Sequence, residues 1–104
     1  MAVVVICRFL VRAERTDEFA ELLELHWPLL KRHDLVTDFE PIRLRRDEDD
    51  GPVFVEIFEW KDADASSAAH ERPEVAAIWA RMGELVEDRG DQRKWEFPHY
   101  TRLG

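Results

Sequence analysis

Four histidines, a single cysteine and two charged residues on apolar strands are where chemistry could reside in this chain. His26 stands in the middle of a helical stripe with Leu22, Leu23 and Leu30. An imidazole in that position needs a hydrogen-bond partner or a wet cavity. Imidazole also changes charge near neutral pH, as a general base should. The plainer reading is a satisfied histidine at the edge of the core. His33 falls near the end of the same helix, where a charged ring is simply favourable. Seven residues separate His26 from His33, roughly 10 Å along a helix and too far to share a metal ion. His99, next to Tyr100 near the C-terminus, reads as structural or interfacial.

Arg8 alternates with Val4, Ile6 and Leu10, whereas Glu56 alternates with Phe54, Phe58 and Trp60. If these two strands are neighbours, the charges are expected to meet on one apolar sheet face, because buried charges persist only when paired. Such a pair would be either a salt bridge at a subunit interface or part of a cavity wall. Cys7 reads as core packing, since free cysteine behaves as a small hydrophobe. Tryptophans 27, 60, 79 and 95 are many for this length, and most are expected in a core or an interface. Trp79, Met82 and Phe19 could together wall an aromatic pocket. No Gly-rich phosphate loop, Gly-x-Ser-x-Gly elbow or paired-cysteine metal motif occurs, and no metal site is expected.

The elements that must position these groups follow from periodicity. Val3 to Val11 is a strand, apolar on both faces up to Ile6 and therefore central. A helix runs from Ala13 or Thr16 to His33, burying a stripe that includes Phe19, Leu23, His26 and Leu30. Pro28 removes a hydrogen bond to the Glu24 carbonyl, so a kink or break is expected there. Val36 to Arg46 is a second strand, weakened by Pro41 and hence an edge. Glu48 to Pro52 is a hairpin loop with Asp50-Gly51 as its turn signal. Val53 to Trp60 is a third strand. A short helix capped by Asp62 reaches His70, and Pro73 opens a longer one to Asp88, ended by Gly90. Lys94 to Arg102 is a last edge strand, interrupted by Pro98.

The order β-α-β-β-α-β defines an α+β ferredoxin-like sandwich: a four-stranded antiparallel sheet with helices on one face. Two helices cover only one side of four strands, yet both faces of the third strand are apolar. The uncovered face calls for a partner, and a second copy packed sheet to sheet is the economical one. The expected state is therefore a homodimer.

Length and charge narrow the functions. A chain of 104 residues is expected to be one domain, residues 1–104. Its net charge of −8 argues against nucleic acid, which requires a concentrated positive face. Arg43, Arg45 and Arg46 are basic, but the acids from Asp47 to Asp50 follow at once, so this reads as the solvated end of a hairpin. The apolar run Ala2 to Cys7 is too short for a secretory signal or a membrane span, which makes the cytoplasm the default. One cysteine allows no internal disulfide and fits a reducing compartment.

The stretch Val53 to Val86 carries a resemblance. A strand ends in Trp60, a short acidic helix contains Ala65, and Ala69-His70-Glu71-Arg72-Pro73 opens a longer helix with Trp79. This resembles the antibiotic biosynthesis monooxygenase-like proteins, a branch of the dimeric α+β barrels. The resemblance implies a ferredoxin-like homodimer with a cavity between sheet and helices. It also implies an oxygenase for phenols, quinols or similar small aromatic molecules that uses no flavin or metal, hence no cofactor. Relatives that degrade haem use an asparagine on the first strand; this chain contains none, and Cys7 and Arg8 stand there instead. The family's frequent serine before the proline is replaced by Arg72.

On this reading His70 or His26 is the base, Arg8 holds the substrate anion, and Trp60, Trp79, Phe19 and Met82 wall the pocket. His70 equally suits a helix joint beside Pro73. The alternative functions are a non-catalytic homodimeric module that binds a small ligand or serves in a stress response, or a structural protein with a filled interior.

Overall fold

The computed structural model describes all 104 residues. The elements in chain order are β1 (Val3–Leu10), a 3-10 turn (Ala13–Arg15), α1 (Thr16–Arg32), β2 (Ile42–Glu48), β3 (Gly51–Trp60), α2 (Ala65–His70), α3 (Pro73–Glu84), β4 (Trp95–Glu96) and β5 (His99–Tyr100). The antiparallel sheet has the order β2-β3-β1-β4, with β5 also on β1. This is the expected ferredoxin-like α+β arrangement, with the first strand central.

Several boundaries differ from expectation for local reasons. The C-terminal edge strand is split at Phe97-Pro98. Proline has no N–H for the ladder, but its carbonyl still accepts from Ile6 N at 3.1 Å, so both short pieces stay on β1. The second strand does not start at Val36. Val36 makes one bridge to Trp60, Thr37 Oγ1 then accepts from Phe39 N in a local turn, and β2 begins only after Pro41. Pro28 does not break α1, which runs through it as one helix. Glu24, whose carbonyl it deprives of a helical donor, is an exposed residue. Helix α3 ends four residues early, because Leu85 O accepts from Arg12 N and Glu87 N donates to Leu10 O. Sheet-like bonds to the end of β1 replace the last helical turn. The hairpin is tighter than expected: Glu48 pairs with Gly51 across Asp49-Asp50. Gly51 has φ of 131°, a conformation that side chains disfavour.

Register decides which residues face the helices. Val5, Cys7 and Phe9 of β1 stand opposite Phe58, Glu56 and Phe54 of β3. These six are buried and meet α1 and α3. Phe19 packs between Phe9 and Phe54, with ring centroids at 5.0 and 5.4 Å. The other face carries Val4, Ile6, Val55 and Ile57, only partly buried, and Ile42 and Leu44, which are 45% and 54% exposed. Helices therefore cover one face alone. No helix is long and apolar enough to cross a membrane.

Candidate functional site

A cavity of about 440 Å³ lies between the sheet and the helices, within the usual range for small-molecule sites. Val5, Cys7 and Phe9 form its floor with Phe58 and Trp60, and α3 supplies Trp79 and Met82. His70, Phe97 and His99, all exposed residues, stand at its mouth. Gly83 lets the far wall close: a Cβ there would come within 2.8 Å of the Trp95 ring. A glycine inside a helix costs about 1 kcal/mol relative to alanine, and here it admits an indole against the helix backbone.

One buried polar chain crosses this apolar wall. Trp79 Nε1–H donates to His26 Nε2 at 2.9 Å. An indole nitrogen can only donate, so His26 Nε2 is the unprotonated ring nitrogen and Nδ1 carries the hydrogen. Nδ1 in turn lies 2.7 Å from Glu56 Oε1 and donates to it. The second oxygen, Glu56 Oε2, accepts from Arg43 Nε at 3.1 Å. His26 is 3% exposed and Glu56 0%, so the carboxylate has no water to lean on and depends on these two partners. The result is an imidazole with its tautomer fixed and its Nε2 lone pair covered by the Trp79 indole in the cavity wall. Phe58 packs edge-on against the ring at 5.7 Å.

Most of the expected site residues converge here. His26, His70, Trp60, Trp79 and Met82 all line the cavity. The His70 ring packs edge-to-face on Trp79, with centroids 4.7 Å apart. Phe19 does not reach the cavity; it is fully buried behind Phe9. Arg8 does not reach it either. Its cross-strand partner is Val55, which places it on the uncovered sheet face, where it pairs with Glu96 at 3.1 Å. The expected Arg8–Glu56 pair is thus replaced: Glu56 stands opposite Cys7, and its true partners are His26 and Arg43. Arg43 is also not merely the solvated end of a hairpin, since it turns inward to Glu56, and Arg45 lies over the Phe54 ring at 5.5 Å.

Glu56, Arg43 and Gly83 went unassigned or misassigned in the sequence. A signal existed for Glu56 and His26, as the two polar misfits on apolar stripes that pack together. Cys7 lies on the cavity floor as a thiol: burial pushes it well above its ordinary range, and the Glu56 carboxylate adds to this. The Trp60 indole N–H is buried without a partner. No three His, Cys, Asp or Glu side chains gather as a metal ion would require.

The strand order and the covered cavity define a ferredoxin-like α+β protein with the architecture of the antibiotic biosynthesis monooxygenase-like proteins. No family model matches the sequence, and no curated protein matches it. Solved structures do share the fold. The cofactor-independent oxygenase SnoaB from Streptomyces nogalater is 20% identical, with a TM-score of 0.76 over 99% of this chain and 94% of that one. Rv0793 from Mycobacterium tuberculosis is 19% identical, with a TM-score of 0.73 over 100% of this chain and 97% of that one. An antibiotic biosynthesis monooxygenase is 15% identical, with a TM-score of 0.74 over 98% of this chain and 99% of that one. At these identities the likeness is one of fold.

Proposed function

We propose that this chain, working as a single domain, is a cofactor-independent monooxygenase-like enzyme for a small aromatic or quinol-type molecule. The observation that carries the reading is the Glu56–His26 dyad opening into an aromatic cavity. Once the bound substrate displaces the Trp79 N–H from it, His26 Nε2 removes the acidic proton of the substrate, and Glu56 stabilises the imidazolium that forms. The substrate carbanion or phenolate then passes one electron to oxygen. The radical pair combines to a C–O bond, and the proton returns from His26 to the peroxide. The sum is RH + O₂ → ROOH; loss of water from a peroxide bearing a geminal C–H leaves a ketone or quinone. The substrate is its own reductant, so this chemistry needs no flavin or metal.

Dry walls strengthen each polar contact in this scheme. The unpartnered Trp60 N–H is the donor available to the substrate oxygen, in place of Arg8, which lies on the other face. His70 stands at the mouth as a second titratable group in reach of a bound molecule. We further propose a homodimer in the cytoplasm, with the Ile42, Leu44, Val55 and Ile57 face covered by a second copy. Native mass spectrometry would show twice the chain mass; a bare monomer at micromolar concentration would refute the dimer.

Oxygen uptake with a panel of phenols and hydroquinones tests the reaction. Turnover by the native protein, lost in His26→Gln, supports it; full turnover after replacing both His26 and His70 refutes it. One observation favours a second reading, a module that binds without turnover. Trp79 already occupies the one acceptor lone pair of His26, so the imidazole could be a held wall group of a cavity that binds a ligand without a base. Unchanged quinol affinity in His26→Gln, with no oxygen consumed by either protein, would favour that module.

A further inference from the structure

We infer that Arg43 is a positioning residue that holds Glu56 in its charged form and through it sets the strength of the His26 base. The inference deepens the proposed oxygenase reading and rests on it. Arg43 sits on the edge strand β2, where every residue is exposed. Its register partner is Glu56, and its Nε–H reaches Oε2 at 3.1 Å while His26 occupies Oε1 at 2.7 Å. The Arg43 side chain is 36% exposed and the Glu56 side chain 0%. One end of the guanidinium is thus in water and the other on a carboxylate that water does not touch.

The groups facing Glu56 are few. His26 comes from α1, Arg43 from β2 and the Cys7 thiol from β1, opposite it in register. The helix α3 offers the uncharged Trp79, one step further along. Arg43 is therefore the only fixed positive charge on Glu56. An ionised carboxylate buried without a cation is strongly unfavourable, and the group takes up a proton instead. A protonated Glu56 could still accept from His26 Nδ1, so the geometry would survive. It could no longer offset the charge of the imidazolium formed when His26 takes the substrate proton. Arg43 touches no wall of the cavity, so its loss should act on the proton-transfer step and leave ligand binding in place.

Four variants of the full chain test this: Arg43→Met, Arg43→Lys, Glu56→Gln and Arg43→Met in the Glu56→Gln background. Two readouts are needed. The first is the ¹H resonance of His26 Nδ1–H, which lies far downfield when its acceptor is a charged carboxylate. It should move upfield in Arg43→Met and hold its place in Arg43→Lys. The second is steady-state oxygen uptake with whichever quinol the native protein turns over. kcat should fall about tenfold or more in Arg43→Met, a share of the ~10²–10⁴ that a general base contributes, with KM nearly unchanged. Lysine should restore most of it, and Arg43→Met should add nothing once Glu56 is glutamine. An unmoved Nδ1–H resonance in Arg43→Met overturns the proposal, as does an equal kcat loss in the Glu56→Gln background. If no quinol is turned over, the oxygenase reading fails and the resonance alone still decides whether Arg43 sets the charge on Glu56.

Discussion

The buried dyad should be a burden on stability that only function explains, and replacing it tests this. Consider Glu56→Leu, His26→Leu and the double substitution. In Glu56→Leu, the His26 Nδ1–H loses its acceptor in a site 3% exposed; an unsatisfied buried donor costs roughly 1–3 kcal/mol. In His26→Leu, a carboxylate with 0% exposure keeps only Arg43, and Trp79 N–H loses its acceptor. Breaking one side of a buried pair costs about 3–5 kcal/mol, and the lower end applies because Arg43 remains. In the double variant both polar partners are gone, Arg43 swings into water, and the core gains apolar volume. Such replacements range from neutral to stabilising by about 1–4 kcal/mol, against which the orphaned Trp79 N–H costs about 1 kcal/mol. The singles should therefore sum to about 4–6 kcal/mol, whereas the double should fall between about 1 kcal/mol less stable and about 3 kcal/mol more stable than native. For a chain this long, 1 kcal/mol is about 4–8 °C in Tm. Urea denaturation followed by tryptophan fluorescence, at fixed protein concentration, measures all four species. A double variant as unstable as the sum of the singles would refute the reasoning. Oxygen uptake should be absent from all three variants.

Three further outcomes follow from single contacts. Gly83→Ala should displace Trp95, since the added Cβ would fall 2.8 Å from its ring; the Trp95 fluorescence should shift and aromatic ligands should bind at least several-fold differently, and unchanged spectrum and affinity would count against the packing described. Cys7 should resist iodoacetamide at about pH 8 in the native protein and react on unfolding in urea, because burial and the Glu56 carboxylate hold the thiol protonated; rapid native alkylation contradicts this. Glu59 is held below the ordinary carboxylate range by hydrogen bonds from Arg102 first and Thr37 second. A depressed acid contributes stability that is present above its unfolded value and lost as pH falls through the folded one. Arg102→Met should therefore lower the urea midpoint at about pH 7 and hardly at all at about pH 3; an equal loss at both would deny the linkage.

The fold was legible in the sequence because its signals were local. Alternation over Val53 to Trp60, a helical stripe through Phe19, Leu23 and Leu30, and Pro73 at a helix start each report on a few neighbouring residues. The errors came where a distant partner decided the outcome. Val86 leaves its helix to bridge Val11, and no pattern near Val86 shows that β1 ends beside it. Pro28 carries an intrinsic cost inside a helix, whereas the exposure of Glu24, whose carbonyl it frees, is a property of the packed helix.

The site was half legible for a related reason. Alternation tells which residues of one strand share a face, and it says nothing about which face of a neighbouring strand they join. Arg8 and Glu56 were each grouped with the right residues of their own strands, but the register Cys7↔Glu56 puts them on opposite sides of the sheet. The physical rule invoked for them, that a buried carboxylate must find a cation, was sound and pointed elsewhere. It is met by Arg43 from the strand on the other side and by the one imidazole on the helical stripe above. A polar misfit on a strand and a polar misfit on the helix that covers it are best read as a pair, since each is tolerable only in the presence of the other. In the proposed reaction that pairing is also what makes a base of His26; without Glu56 beneath it, the residue would be a core histidine held by an indole.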